Sequence, residues 1–224
     1  MIQTKLALWK KIIFLLPAML LSACTTSIQT EDHYENPISD SAVIAFLDDG
    51  VTDEQKNLFD HIITVDAHGT PGQHGKFVYN TFMQSIHNYQ TITTLIAIDV
   101  VGENSQVLPE NLAQGIELAQ QYGARFLNVS ISFPDNFTVI HEAVKHAHEA
   151  GITIFASTAN DVFDRESYPA HYPEVYGVTL LDNDGDPADL ATTKSSDIGI
   201  YTDLIPNSEL LGTSLATPVA LACT

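Results

Sequence analysis

Three side chains along the chain have the types needed for nucleophilic catalysis: Asp48, His74 and Ser214. A serine hydroxyl becomes a good nucleophile only when an imidazole takes its proton, and the imidazole needs a carboxylate that fixes its tautomer and stabilises its cation. Because each residue follows an apolar run or lies in a glycine-rich segment, all three are expected at the ends of regular elements. These residue types predict acyl transfer, with Ser214 as the nucleophile, His74 as the base and Asp48 as the carboxylate that orients the imidazole.

The segments around these residues are distinctive. Residues 44–51 read Ile-Ala-Phe-Leu-Asp-Asp-Gly-Val, residues 74–78 read His-Gly-Lys-Phe-Val, and residues 212–218 read Gly-Thr-Ser-Leu-Ala-Thr-Pro. In these segments, and in the chain order Asp, His, Ser, the sequence resembles the subtilisin-like serine proteases, the subtilases. The resemblance extends over about residues 42–222. It implies a serine endopeptidase that cleaves polypeptides through an acyl-enzyme intermediate.

Two further segments carry the resemblance. Residues 128–132 are similar to the strand edge that binds the substrate backbone in the subtilases, which implies Ser130, Ile131 and Ser132 as substrate-binding residues. Residues 154–160 are similar to the stretch whose asparagine donates to the oxyanion. The resemblance therefore implies an oxyanion hole formed by Asn160 and the backbone N–H of Ser214.

The sequence departs from the subtilase pattern at several of these positions. Asp49 stands where the family usually has Ser or Thr, and a second carboxylate beside Asp48 is expected to disfavour ionisation of one of the pair. Lys76 and Phe77 replace Thr and His, and Ala159 replaces a Gly. The departures leave an alternative function open, that of a catalytically inactive subtilase-like envelope lipoprotein that binds peptides or partners.

The elements that must position these residues follow a βαβ pattern. Short apolar runs predict parallel strands buried on both faces, at residues 42–47, 94–101, 126–131, 152–156 and 176–181. Amphipathic patterns predict helices at residues 110–122 and 139–150, each followed by a Gly. The fold class predicted is α/β, a subtilisin-like parallel sheet flanked by helices on both faces and shortened at the C-terminus.

The N-terminus has the order of a secretory signal. Three lysines precede an apolar run interrupted by Pro17, and small residues precede Cys24. Leu21-Ser22-Ala23-Cys24 resembles the lipobox of bacterial lipoproteins, which implies lipidation of Cys24. We therefore expect a lipoprotein signal peptide at 1–23, a flexible tether at 24–40 and a peptidase domain at 41–224. By resemblance to sorting rules, Thr25 implies anchoring at the outer membrane of the bacterial cell envelope.

The charge balance excludes one class of partner. The sequence has nine Lys and Arg residues and 28 Asp and Glu residues, which gives a net charge of −19. Removal of the three signal-peptide lysines would change the net charge to −22. Such an acidic surface repels nucleic acid. We expect a monomer that meets a polypeptide substrate and contacts the membrane only through its lipid anchor.

Two sequence patterns could suggest a metal site, but metal binding is not expected at either of them. His68 and Asp66 lie near His74 in the sequence, but zinc needs three or four converging ligands and this spacing matches no recognised zinc pattern. Residues 182–186 read Asp-Asn-Asp-Gly-Asp, and Pro187 stands where a calcium loop needs Gly, so a turn is favoured over structural calcium. No cofactor is predicted.

The length after the nucleophile is unusual for the family that the sequence resembles. Ten residues follow Ser214, whereas the nucleophile helix of a subtilase normally continues for several turns. The domain is therefore expected to be minimal or truncated, or the reading frame to be a fragment.

Overall fold

The computed structural model describes residues 42–66, 73–86, 92–102, 105–206 and 211–224. They belong to one compact unit, Asn36–Thr224. The predicted signal peptide at 1–23, the predicted lipidation site Cys24, the predicted tether at 24–40 and His68 of the disfavoured zinc pattern lie outside the described residues.

The described residues form a seven-stranded sheet in which every neighbouring pair is parallel. The spatial order is β2-β3-β1-β4-β5-β6-β7. The strands are β1 Ala42–Asp48, β2 His61–Thr64, β3 Ile92–Asp99, β4 Phe126–Val129, β5 Thr153–Ser157, β6 Val175–Leu181 and β7 Ile198–Tyr201.

Four α-helices cover the two faces of the sheet in the described part of the chain. They are α1 His74–Ser85, α2 Pro109–Gln121, α3 Thr138–Glu149 and α4 Thr213–Ala222, and short 3₁₀ turns occur at Lys56–Leu58 and Thr202–Leu204. On one face α2 and α3 pack over Leu47, and on the other α1 and α4 pack over Phe46. Alternate side chains of β1 thus enter two separate cores, which explains its continuous apolar run. The predicted α/β architecture is confirmed.

Two edge strands were not predicted from the sequence. Three of the four residues of β2 are exposed, and its two consecutive apolar residues, Ile62 and Ile63, form a shorter run than those that marked the central strands. β7 contains Gly199, whose missing side chain makes room for Leu181 of β6: a Cβ there would lie 2.5 Å from Leu181 Cδ1. Their place at the sheet edge, rather than their local pattern, makes these segments strands.

The topology brings several loops to one edge of the sheet. In a parallel sheet all carboxyl ends lie on the same side, and ligands bind there. β1 and β3 end in register, with Asp48 beside Asp99. Among the described residues, no helix has both the length and the apolar character needed to cross a membrane.

Candidate active site

The three predicted catalytic residues lie at the ends of three elements. Asp48 is the last residue of β1, His74 is the first of α1 and Ser214 is the second of α4. Their side chains form one continuous chain of contacts. His74 Nδ1 lies 2.7 Å from Asp48 Oδ1, and His74 Nε2 lies 3.1 Å from Ser214 Oγ. The last contact joins residues that are 140 positions apart in the sequence.

The geometry fixes the direction of proton transfer. An ionised carboxylate accepts but does not donate, so Asp48 Oδ1 accepts a hydrogen bond from the His74 Nδ1–H. Nε2 is then the acceptor, and it faces the Ser214 hydroxyl. This arrangement lets the imidazole remove the serine proton as Oγ attacks a carbonyl.

Burial and hydrogen bonding shift the pKa of both partners. Burial raises the pKa of Asp48, which is 5% exposed and also accepts a hydrogen bond from the Asp49 N–H. The hydrogen bond to Asp48 raises the pKa of His74 above its ordinary value of 6.5. The His74 side chain is 46% exposed, so its ring is open to solvent while its carboxylate partner is buried.

Asp49 has a structural role that the sequence did not reveal. Its Oδ1 accepts a hydrogen bond from the Gly75 N–H at 2.6 Å, and its Oδ2 accepts one from the His74 N–H at 3.1 Å. A carboxylate at a helix N-terminus satisfies otherwise unpaired donors and complements the helix dipole. The expected repulsion is present, because Asp49 contributes to the raised pKa of Asp48. The same carboxylate also fixes the start of the helix that carries the base.

Gly75 is required where α1 approaches the loop after β1. A Cβ on this residue would lie 2.3 Å from the Gly50 carbonyl oxygen and 2.9 Å from Asp49 Oδ1. Gly50 itself has φ +88°, a conformation that favours glycine. The two glycines allow the contact between Asp49 and the helix.

Asn160 lies beside the start of α4, as the resemblance implied. Its Oδ1 accepts a hydrogen bond from the Thr213 N–H at 3.1 Å, so the amide orientation leaves Nδ2 as a donor. A Cβ on Gly212 would lie 3.4 Å from Asn160 Nδ2 and 3.7 Å from Ser214 Oγ. The missing side chain of Gly212 thus leaves open space beside both Asn160 Nδ2 and Ser214 Oγ, and the oxyanion role of Asn160 stays a prediction.

Buried threonines hold this region together. Thr213 Oγ1 donates to the Thr158 carbonyl, and Thr192 Oγ1 donates to the Ala159 carbonyl at 3.0 Å. Thr158 and Thr179 both donate to the Thr192 carbonyl, at 2.9 Å and 2.7 Å. The hydroxyls connect β5, β6, the loop before β7 and α4, so they position Asn160 relative to Ser214. No pattern in the sequence would have identified this network.

The predicted substrate-binding segment directly follows β4. Ser130 is buried, Ile131 is half-buried and Ser132 is exposed. The Ser130 hydroxyl points inward and donates to the Ser214 carbonyl at 2.9 Å. The structure therefore gives the Ser130 side chain a contact with the nucleophile segment, and binding of a substrate backbone at Ser130–Ser132 stays a prediction.

Residues 182–186 form a closed turn. The Asp182 N–H donates to the Asp186 carbonyl, and Asp182 Oδ1 accepts the N–H groups of Asp184 and Asp186. Within the described part of the chain, no group of three or more His, Cys, Asp or Glu side chains is arranged to hold a metal ion. The absence of cofactors stays a prediction.

Comparison with known proteins agrees with the fold and identifies the family. The model of the subtilase family matches residues 39–223. Subtilisin BL of Lederbergia lenta is 28% identical over 137 residues, 55% of this chain and 49% of its own length. Halolysin of Haloferax mediterranei is 28% identical over 208 residues, 81% of this chain and 40% of its own length. The matched region thus spans about half or less of these curated relatives.

Solved structures show the same architecture. The prenylagaramide maturation protease PagA superposes with a TM-score of 0.58 and 25% identity, over 80% of this chain and 72% of PagA. A variant of the protease domain of PatA superposes with a TM-score of 0.61 and 19% identity, over 84% and 79% of the two chains, and this shows a shared fold. Because the family match covers most of the 224 residues, the chain belongs to the subtilase family.

Proposed function

We propose that the protein is a serine endopeptidase. The observation that carries the proposal is the continuous contact from Asp48 through His74 to Ser214, at 2.7 Å and 3.1 Å. These distances lie in the range of hydrogen bonds between a nucleophile, its base and an orienting acid. Membership of the subtilase family supports the same reaction class.

The proposed reaction has two steps. Ser214 Oγ attacks the scissile carbonyl while His74 Nε2 accepts its proton, and the negative charge that develops on the carbonyl oxygen is stabilised by Asn160 Nδ2 and the Ser214 N–H. His74 then protonates the leaving amine, which leaves an ester on Ser214. Water hydrolyses this ester with His74 again as base, and Asp48 stabilises the imidazolium in both steps.

A fluorophosphonate probe tests the proposal. It reacts with a serine only when a base activates the hydroxyl, so the purified protein should be labelled between about pH 7 and 9. Ser214→Ala should abolish labelling, whereas Ser85→Ala should retain it, because Ser85 donates to the Thr81 carbonyl near the far end of α1. Absence of labelling over that pH range would rule out the proposed activity.

The alternative is a catalytically inactive envelope protein that binds peptides. The departures at Asp49 and Ala159 motivated it, but Asp49 stabilises the helix of the base, and Ala159 accepts a hydrogen bond from Thr192 within the ordered threonine network. The contacts at both positions are compatible with an assembled active site. Measurable cleavage of a casein substrate would eliminate the alternative, whereas peptide binding without cleavage would support it.

The substrate is proposed to be a polypeptide bound in extended form along Ser130–Ser132. The segment follows the central strand β4 and lies outside the regular sheet, so an extended peptide can add to it by backbone hydrogen bonds. A substrate-like peptide aldehyde should protect the Ile131 and Ser132 amides from hydrogen exchange. Unchanged exchange at these amides in the bound state would contradict this binding mode.

We also propose that the protein is a monomeric lipoprotein of the bacterial outer membrane. The support is the lipobox at 21–24 and the polar tether that follows. Protein expressed with its native leader should partition into detergent and carry acyl chains on Cys24, and Cys24→Ala should release it. The chain has two cysteines, Cys24 and Cys223, so an intact mass showing a Cys24–Cys223 disulfide and no acyl chain would contradict lipidation.

A further inference from the structure

The carbonyl of the nucleophile residue lacks its regular helical donor. In an α-helix the C=O of one residue accepts the N–H of the residue four positions later. For Ser214 that residue is Pro218, which lies inside α4 and has no N–H. Pro218 is buried, so solvent cannot easily replace the missing donor along this part of the helix. A half-buried carbonyl that has lost its helical donor needs another partner.

Ser130 supplies that partner from the end of β4. Its Oγ donates to the Ser214 carbonyl at 2.9 Å, and Asn128 Nδ2 donates to the same Oγ at 3.0 Å. A hydroxyl has a single hydrogen, so the hydrogen bond from Asn128 directs the Ser130 hydrogen towards the Ser214 carbonyl. Asn128 is fully buried, and its Oδ1 has no partner among the described residues. A buried amide oxygen without a partner is destabilising, so the hydrogen bond from Nδ2 to Ser130 is the contact that holds this side chain in place.

The backbone is therefore held on both sides of Ser214, at the Thr213 N–H and at the Ser214 carbonyl. The preceding residue is fixed by the hydrogen bond from the Thr213 N–H to Asn160, and the Ser214 carbonyl is fixed by Ser130. Together these contacts set the backbone orientation at Ser214. That orientation determines where Oγ points relative to His74 Nε2 and where the Ser214 N–H points.

We propose that Ser130 is a positioning residue for the nucleophile, and that its role depends on Pro218. The inference rests on the proposed serine endopeptidase activity. Ser130 acts through the Ser214 carbonyl and not through a side-chain contact with substrate. With an N–H at position 218, the helix itself would hold the carbonyl, and the Ser130 hydroxyl would become dispensable.

A double-mutant cycle with Ser130→Ala and Pro218→Ala tests the dependence. For each protein the fluorophosphonate reaction gives a limiting rate, kinact, and an apparent dissociation constant, KI. In the protein that keeps Pro218, Ser130→Ala should lower kinact roughly 10-fold and change KI less than about 2-fold, because the Ser214 carbonyl loses its donor. In the Pro218→Ala background the same substitution should lower kinact less than about 3-fold, because the new N–H replaces the lost donor.

The matched control is Ser85→Ala. Ser85 Oγ also donates to a helix carbonyl, that of Thr81, at 2.8 Å. Thermal unfolding of every variant shows whether stability is lost, and Ser85→Ala should leave kinact unchanged. Ser130→Cys, which keeps a weak donor of similar size, should give an intermediate kinact and provides the measurement if Ser130→Ala does not fold.

The outcomes separate this inference from the proposed function. If Ser130→Ala raises KI and leaves kinact unchanged, the side chain contacts the ligand and the positioning role is wrong. If Ser130→Ala lowers kinact equally in both backgrounds, Ser130 does not act through the Ser214 carbonyl, and the proposed positioning role is wrong. In both cases the endopeptidase proposal stands. If the wild-type protein is not labelled at all, the proposed function fails and the positioning role fails with it.

Discussion

The two helices that carry the reacting side chains begin at the same edge of the sheet but are held in different ways. The first N–H groups of α1 donate to the carboxylate of Asp49. At the start of α4, the Thr213 N–H donates to the neutral amide of Asn160, and the Thr213 hydroxyl donates to a backbone carbonyl. One helix start is stabilised by a charge and the other by neutral groups.

The difference matches the charge that would develop at each place during catalysis. His74 becomes a cation when it accepts the serine proton, and a nearby carboxylate stabilises that cation. In the proposed reaction an oxyanion would form beside Ser214, where a carboxylate would repel it and N–H donors would stabilise it. The carboxylate at the start of α1 and the neutral donors at the start of α4 would therefore both stabilise the proposed transition state, in which His74 is a cation and the substrate carbonyl oxygen is an anion.

The largest expected effect comes from removing the base. His74→Ala should lower the rate of fluorophosphonate labelling roughly 10⁴-fold or more, because the imidazole that takes the Ser214 proton is lost. The matched control is His141→Ala on α3, whose ring stacks on Tyr172 with centroids 4.0 Å apart. A labelling rate for His74→Ala within about 10-fold of wild type would show that His74 is not the base.

The next effect tests the neutral start of α4. Asn160→Ala should lower kcat roughly 100- to 1,000-fold, because one oxyanion donor is lost. Asn160→Asp keeps an acceptor for the Thr213 N–H but replaces the donor with an anion, so its loss should be at least as large. The control is Asn136→Ala, which removes an amide that accepts from the Tyr172 hydroxyl. Higher activity in Asn160→Asp than in Asn160→Ala would contradict the inference that the start of α4 needs neutral groups rather than a carboxylate.

A smaller effect is expected at the charged start of α1. Asp49→Ala should destabilise the fold by about 1 kcal/mol, the usual effect of losing a helix cap, and lower Tm by about 2–4 °C. Asp49→Ser keeps one acceptor and should lose less. Asp53→Ala is the control, because this exposed carboxylate in the segment after β1 pairs with Lys56 at the surface. Equal Tm values for Asp49→Ala and wild type would show that the capping hydrogen bonds do not stabilise the helix.

The smallest effect concerns pH. Labelling needs neutral His74, so its rate should rise with pH through a midpoint above 6.5, since Asp48 and Asp49 both raise the pKa of His74. Asp49→Ser should move the midpoint to lower pH by less than Asp48→Asn does, because the hydrogen bond to Asp48 is the larger cause. A midpoint that is the same in Asp49→Ser and wild type would show that the charge at α1 acts only on stability.

The central sheet was predictable from the sequence because its strands have local patterns, and the residues of the proposed triad were recognisable for the same reason. The five predicted strands are apolar on both faces, and each corresponds to an observed strand. Helices α2 and α3 begin and end within a residue of their predicted bounds, at a proline or threonine and before a glycine. The edge strand His61–Thr64 was missed because mostly exposed residues with only a short apolar run form a strand only when β3 is beside them.

The supporting contacts of the site were not predictable for a related reason. From the sequence Asp49 is only a like charge beside Asp48, because residue order does not show that α1 begins within hydrogen-bond distance of it. Ser130 is only part of a substrate edge, because nothing in the sequence connects it to a carbonyl 84 positions away.

By itself, the sequence determined the chemical identity and order of the reacting groups, and the apolar runs that build a parallel sheet. These properties depend on residue type and near-neighbour spacing. Only the tertiary structure decided that Asp48, His74 and Ser214 meet, that Asp49 turns towards α1, and that Ser130 takes the place of the N–H missing at Pro218. Hydrogen bonds depend on ångström-scale distances between atoms of different elements, and those distances are set by how the helices pack on the sheet.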